Sequence, residues 1–224
     1  MKIATWNVLK GKTQDRAVEL RKVYDADIIA FQETSSSVEV DSAWCGDNGK
    51  TKKGVSIWSH YTFETVKPDV MCSPSLAISL EKTPLGKINI LNLWAKKEPD
   101  YYEDMMTSLA AYDDFIKSAP TIILGDFNIS PKVKGKAAKF ENLNAHLQTE
   151  YGLTSAYHVW TKEIFGEENH PTLYFQWQEK TTFHCDFIYV PIALSKLIKS
   201  VSIPDYNSFN TSDHRPVICE FDVN

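Results

Sequence analysis

Apolar runs in this chain repeatedly stop on a polar residue. Lys2 to Val8 reads as a strand interrupted by Asn7. Residues Gln14 to Ala26 carry Ala17, Val18, Leu20 and Val23 at roughly helical spacing. The run Asp27 to Gln32 is continuously apolar from Ile28 to Phe31 and ends at Glu33. Such a run is buried on both faces or packed under a helix. Strands are predicted at Gly54–Ser59, Leu76–Glu81 and Lys87–Trp94. An amphipathic helix from about Asp100 to Ser118 follows, with Met105, Leu109, Tyr112 and Ile116 on one face. Pro120 stops it, and the strand Thr121–Leu124 runs into Gly125-Asp126.

The second half repeats this alternation. Ala137 to Tyr151 reads as a helix that buries Phe140, Leu143 and Leu147. Strands are predicted at Thr172–Trp177, His184–Val190, Lys199–Ile203 and Val217–Val223. Consecutive strands are too frequent for a doubly wound parallel sheet. The pattern calls for an α+β fold of two packed mixed sheets with helices outside.

The polar interruptions carry the chemistry. Asn7, Glu33, Asp126, Asn128, Asp186 and His214 all lie in or beside strand-like segments. Amides and carboxylates are costly to bury without partners, so strand ends that carry them should converge on something that satisfies them. A hard cation and a phosphate group would do so. Oxygen-rich donor sets suit Mg²⁺, with Mn²⁺ as a substitute, better than Zn²⁺. Asp186 and His214 form a natural pair, because a carboxylate favours the imidazolium and fixes its tautomer. A charged histidine could then stabilise a pentacoordinate phosphorus. Ser212-Asp213-His214 is no serine triad, since triads assemble from distant segments. Gly125-Asp126-Phe127-Asn128 lacks the Gly-rich turn and following Lys of a phosphate-cradling loop.

Composition narrows the setting. The net charge of −5 argues against a general nucleic-acid coater. Lys96 and Lys97, and Lys132, Lys134, Lys136 and Lys139 after the Asp126 segment, could still form a locally positive mouth. The four cysteines form no Cys-x-x-Cys pair, and Cys185 and Cys219 read as small buried thiols in a reducing compartment. No signal peptide or membrane span is legible, so a cytoplasmic location is expected. With no linker or repeat, residues 1–224 read as a single domain, and a monomer is expected.

The ordered motifs Trp6-Asn7, Gln32-Glu33, Gly125-Asp126-Phe127-Asn128, the Asp186 strand and Ser212-Asp213-His214 resemble the endonuclease/exonuclease/phosphatase superfamily. The resemblance spans nearly the whole chain and implies a four-layer αββα sandwich with the site at one edge of the paired sheets. It implies Mg²⁺-dependent hydrolysis of a phosphodiester or phosphomonoester. Glu33 then matches the main metal carboxylate, with Asn7 and Asp213 supporting the metal or its water shell. Asp126 positions or activates the attacking water, Asn128 helps hold the phosphate, and His214, paired with Asp186, contacts it. One position departs: Trp94 stands where many relatives carry His or Tyr, and an indole cannot transfer a proton. Lys96 or Lys97 could supply the missing contact. Trp94, Lys96, Lys132 and Trp177 are the expected substrate-binding residues. The expected function is a metal-dependent phosphodiesterase, foremost a nuclease acting on DNA. The alternatives are hydrolysis of a small phosphoester (inositol phosphate, lipid headgroup or nucleotide) and a catalytically impaired binding member of the fold.

Overall fold

The computed structural model of the chain describes residues 1–35, 41–46, 52–68, 72–97 and 99–223. In chain order the elements are β1 (Lys2–Asn7), α1 (Thr13–Tyr24), β2 (Ile28–Ser35), β3 (Ser42–Gly46), β4 (Lys53–Ser59), β5 (Glu64–Val66), β6 (Ser75–Thr83) and β7 (Gly86–Trp94). Then come α2 (Tyr101–Ala111), α3 (Asp113–Ser118), β8 (Thr121–Asp126), α4 (Ala137–Tyr151), β9 (Leu153–Ser155) and α5 (Ala156–Thr161). The chain ends with β10 (Leu173–Tyr174), β11 (Thr182–Phe183), β12 (Asp186–Pro191), α6 (Ile192–Ser195), β13 (Ile198–Ser202) and β14 (Val217–Phe221).

Two six-stranded mixed sheets result, ordered β13-β14-β1-β2-β4-β3 and β5-β6-β7-β8-β12-β9. They pack face to face through Ile3, Ala30 and Ile57 on one side and Ile78, Ile90, Ile122 and Ile188 on the other. The next residues along the same strands face outward, to helices. Ala4, Ile29 and Phe31 meet Ala17 and Leu20 of α1. Leu91, Ile123 and Phe187 meet Met105, Leu109, Phe140, Leu143 and Leu147 of α2 and α4. Burial on both faces explains the unbroken apolar runs, and each large aliphatic side chain stabilises the fold by roughly 1.5–3 kcal/mol. The layers are thus helix, sheet, sheet, helix.

A polar clamp crosses the otherwise apolar inter-sheet core. Gln32 Nε2 donates to Asn92 Oδ1 at 2.7 Å and to Thr5 Oγ1 at 3.0 Å. Asn92 Nδ2 donates to the carbonyls of Phe31 and Ser56 at 3.0 and 2.9 Å. These bonds fix the two sheets against each other beside Asn7 and Glu33.

Three expectations change. The helix from Asp100 to Ser118 is two helices, because Tyr112 leaves helical geometry at φ −113°, ψ 17°. Asp113 and Asp114 then occupy the first turn of α3, where the N-terminal dipole favours them. The strand over Thr172–Trp177 keeps only Leu173–Tyr174, since Gln176 and Trp177 turn into the left-handed region (φ 54° and 61°). The short β3, β5 and β9 were not anticipated.

Candidate active site

The site is assembled where strands from both sheets end together. β1 delivers Asn7 and β2 delivers Glu33. β8 ends at Asp126, and β12 begins at Asp186 directly across the ladder from it. Gly125 lets β8 lie close to β7 just before Asp126: its φ is +137°, and a Cβ there would lie 1.9 Å from the Leu93 carbonyl oxygen. Glu33 sits at a register shift in β2 with φ 56°, and Asn128 has φ 51°. A left-handed glutamate costs about 1–2 kcal/mol, so the fold holds this side chain against local preference.

Asn7 Nδ2 bridges the two halves, donating to Asp126 Oδ2 at 2.9 Å and to Glu33 Oε1 at 3.3 Å. Its Oδ1 accepts from the Leu9 N–H at 3.1 Å. Asn128 donates twice to Asp126, from its backbone N–H and from Nδ2, both at 2.9 Å. Its Nδ2 also reaches the Ala95 carbonyl at 3.2 Å. Asp186 Oδ2 accepts from His214 Nδ1 at 2.9 Å, while Oδ1 is buried with no hydrogen-bond partner among the described residues.

The His214 segment is fastened from behind. Ser212 Oγ donates to the Asn7 carbonyl at 2.6 Å and accepts the His214 N–H at 3.1 Å. Trp6 Nε1 donates to the His214 carbonyl at 3.1 Å. The buried Arg215 guanidinium donates to the Ser212 and His214 carbonyls at 2.8 and 2.9 Å and lies over the packed rings of Tyr174 and Tyr206, 5.1 and 5.4 Å from their centroids.

Electrostatics separate the roles. Burial, then the neighbouring Asp186 charge, raises the Asp126 pKa to about 7 against the opposing pull of His214 and the bonds from Asn7 and Asn128. Burial disfavours a charged His214, yet Asp186 and Asp126, with a smaller push from Asp213, outweigh it and carry its pKa to about 10. A carboxylate near neutrality beside a held imidazolium is an acid–base arrangement.

Residues 4–214 match the Endonuclease/Exonuclease/phosphatase family. The chain belongs to this family. No curated protein matches it. Among solved structures it resembles a 3′-5′ exonuclease (NExo) from Neisseria meningitidis, with 20% identity and a TM-score of 0.74 over 99% of this chain and 100% of that one. An AP endonuclease from Archaeoglobus fulgidus gives 18% identity and a TM-score of 0.71, covering 100% of both chains. The endonuclease domain of TRAS1, a telomere-specific non-LTR retrotransposon, gives 16% and 0.73, covering 99% of this chain and 98% of that one. At such identities the likeness is one of fold, the α+β sandwich of the endonuclease/exonuclease/phosphatase family.

Within this family framework, Asn7, Glu33, Asp126 and Asn128 form one hydrogen-bonded network. The bonded pair Asp186 and His214 meets it at Asp126. Asp213 lies beside it, half-buried. Trp94 pairs with Asp126 in the ladder, but its ring is buried and the Lys96 ammonium covers its face at 3.1 Å from the centroid. Lys132 and Trp177 are exposed, and no hydrogen bond among the described residues joins either to the network. The Asn128 amide, expected to face phosphate, is committed to Asp126 and Ala95.

Three neighbours were missed. The Lys53 ammonium pairs with Glu33, both side chains being 17% exposed. Only the β2–β4 register, Ser35 opposite Lys53, brings them together. Tyr101 opens α2, and its hydroxyl pKa is raised by burial and then by the charges of Asp126, Cys185 and Glu33. Cys185 is not a remote thiol: Asp126, Cys185, Asp186 and His214 each offer a donor atom within 4.8 Å of the others, and could hold a metal ion. An ammonium resting on Glu33 and an orphaned Asp186 oxygen both show a site that accepts positive charge, and hard carboxylate donors fit a divalent cation.

Proposed function

We propose that the chain is a Mg²⁺-dependent phosphodiesterase that cuts DNA. The observation that carries this is the buried Asp126–Asp186–His214 constellation, in which burial and the neighbouring charges hold a base near neutrality beside an imidazolium. Asp126 takes the proton of a water aimed at phosphorus. Asn7 and Asn128 fix the direction of its carboxylate. His214, held through Nδ1 by Asp186, presents its other ring nitrogen to a non-bridging oxygen, where charge grows in the transition state. Tyr101 stands as the aromatic hydroxyl that Trp94 cannot supply. Glu33, supported by Asn7 and Asp213, would hold Mg²⁺ (or Mn²⁺), which when bound supplies positive charge to the phosphate.

DNA is favoured as substrate by Lys96, which follows the strand paired with Asp126, by the exposed Lys132 six residues after Asp126, and by the exposed rings of Phe175 and Trp177. These rings lie on the β10–β11 connection, and β10 bridges to His214 through Leu173. Exposed aromatics can stack on bases, at about 1–3 kcal/mol each. A solved relative, the 3′ phosphatase NExo from Neisseria, is bound to a product DNA hairpin. The net charge of −5 favours a second reading, hydrolysis of a small phosphoester such as an inositol phosphate, a lipid headgroup or a nucleotide.

Plasmid and abasic duplex, incubated with Mg²⁺, Mn²⁺ or chelator, separate these readings. Nicking that disappears with chelator, and falls by about 10²–10⁴ in Asp126→Asn and His214→Ala, is expected. Equal nicking by wild type and variants would mark a contaminant and end the proposal. Turnover of a small phosphoester without nicking would favour the second reading.

A further inference from the structure

Cys185 is left without a task by hydrolysis, yet it lies inside the site. Its thiol is buried and donates to Asp186 Oδ2 at 3.6 Å. With Asp126, Asp186 and His214 it completes a set of one sulfur, one nitrogen and two carboxylate donors, all within 4.8 Å of one another. Tetrahedral zinc takes thiolate at about 2.3 Å and nitrogen or carboxylate oxygen at about 2.0–2.2 Å, which sets its donors roughly 3.3–3.8 Å apart, so the widest pair here has to close by about 1 Å.

A second observation points to a ligand here. Asp186 Oδ1 is buried and has no hydrogen-bond partner among the described residues. Buried polar atoms are almost always satisfied, and this one lies on the carboxylate between Cys185 and His214. The donors are also oriented from behind. Thr172 Oγ1 accepts the N–H groups of Cys185 and Asp186 at 3.0 and 3.1 Å, and Asn7 and Asn128 hold Asp126. Supports of this kind typically govern metal affinity by 10–100-fold, that is, roughly one to two decades.

We propose that Asp126, Cys185, Asp186 and His214 form a site for a thiophilic divalent ion, zinc by its chemistry, and that filling it stops hydrolysis. Mg²⁺ seeks oxygen donors and does not compete for the sulfur. Binding forms metal–sulfur, metal–nitrogen and metal–oxygen bonds. It releases the thiol proton, the imidazolium proton and any proton held by Asp126 to solvent, and no electron moves. Asp126 and His214 are then both engaged and cannot serve a phosphate. The inhibition rests on the hydrolytic reading above; the binding does not.

The full-length protein without Mg²⁺ is titrated with Co²⁺ as a spectroscopic probe. A near-ultraviolet thiolate-to-cobalt charge-transfer band is expected, bleached by equimolar Zn²⁺. Cys185→Ala should lose the band and bind Zn²⁺ at least about tenfold more weakly. Cys45→Ala, Cys72→Ala and Cys219→Ala should keep it. Absence of the band in wild type, or its survival in Cys185→Ala, overturns the proposal. Should Cys185→Ala fail to fold by circular dichroism, zinc X-ray absorption on the wild type decides: one sulfur neighbour supports the site, and a sulfur-free shell removes it. Zn²⁺ added to the Mg²⁺-supported reaction should inhibit wild type at least about tenfold more sensitively than Cys185→Ala, each scaled to its own zinc-free rate. Equal sensitivity overturns the inhibitory part. A cobalt band in a protein that hydrolyses no phosphoester supports the site and overturns the hydrolytic reading alone.

Discussion

Two buried histidines lie against the same strand in opposite states. For His184, just before β12, burial drives the pKa down to about 4 against the weaker pull of Glu168. Its Nδ1 donates at 3.1 Å to the His170 carbonyl, a neutral acceptor, and its rings for neighbours are Tyr157, His158 and Phe187. His214 is buried as well, but its Nδ1 faces a carboxylate at 2.9 Å and a second carboxylate lies behind the first, so it ends near 10. Burial alone gives a neutral, inert imidazole. The paired strand ends with their two aspartates turn the same side chain into a cation. The chemistry is therefore a property of the β8–β12 ladder more than of the histidine.

The strongest way to break this contrast is Asp186→Asn. His214 should lose most of its upward shift, read by NMR titration of the imidazole, and phosphodiester hydrolysis should fall by about 10²–10⁴. An unchanged His214 titration would mean that Asp186 is not what charges it. The next effect is on stability. Between about pH 4 and 6.5 the folded protein leaves His184 neutral while the unfolded chain protonates it, so its contribution is present above that window and is lost on acidification. His214 has the opposite sign: its contribution is present below about pH 6.5 and is lost as pH rises through about 10. Urea denaturation across pH should therefore show a flatter acid limb for His184→Gln and a flatter alkaline limb for His214→Gln, each by at most about 1.4 kcal/mol per pH unit. Identical limbs in both variants would erase the distinction. Smaller still, Tyr101→Phe should slow hydrolysis by about tenfold with little change in stability, as expected for the loss of one hydrogen-bond donor from the proposed site. His184→Gln should stay within about threefold of wild type in rate at neutral pH, since no substrate contact is assigned to it.

Much of this was legible because long periodic segments state their own structure. Phe140, Leu143 and Leu147 define α4 to its ends, and the runs into Glu33 and Asp126 mark strands whose polar termini have to be satisfied. The break at Tyr112 was hidden, because the apolar spacing continues through it to Ile116. Three-residue strands such as Leu153–Ser155 are too short to show a period. The aromatics of Thr172–Trp177 looked like a strand, but Gln176 and Trp177 adopt turn geometry that β-propensity does not reveal. Lys53 and Tyr101 join the site only through register and helix placement. Cys185 had no polar signature, and its position among the aspartates is a tertiary fact.

The direct pairing of Asp126 with Asp186 has one more consequence. Side chains alternate between faces along a strand, so a slip of one step in β12 would bring Phe187 opposite Asp126 and turn Asp186 toward the helices. A preparation refolded with that slip would regain its circular dichroism and its bulk while remaining chemically silent. Turnover is thus a gauge of strand alignment, finer than any spectrum of secondary structure.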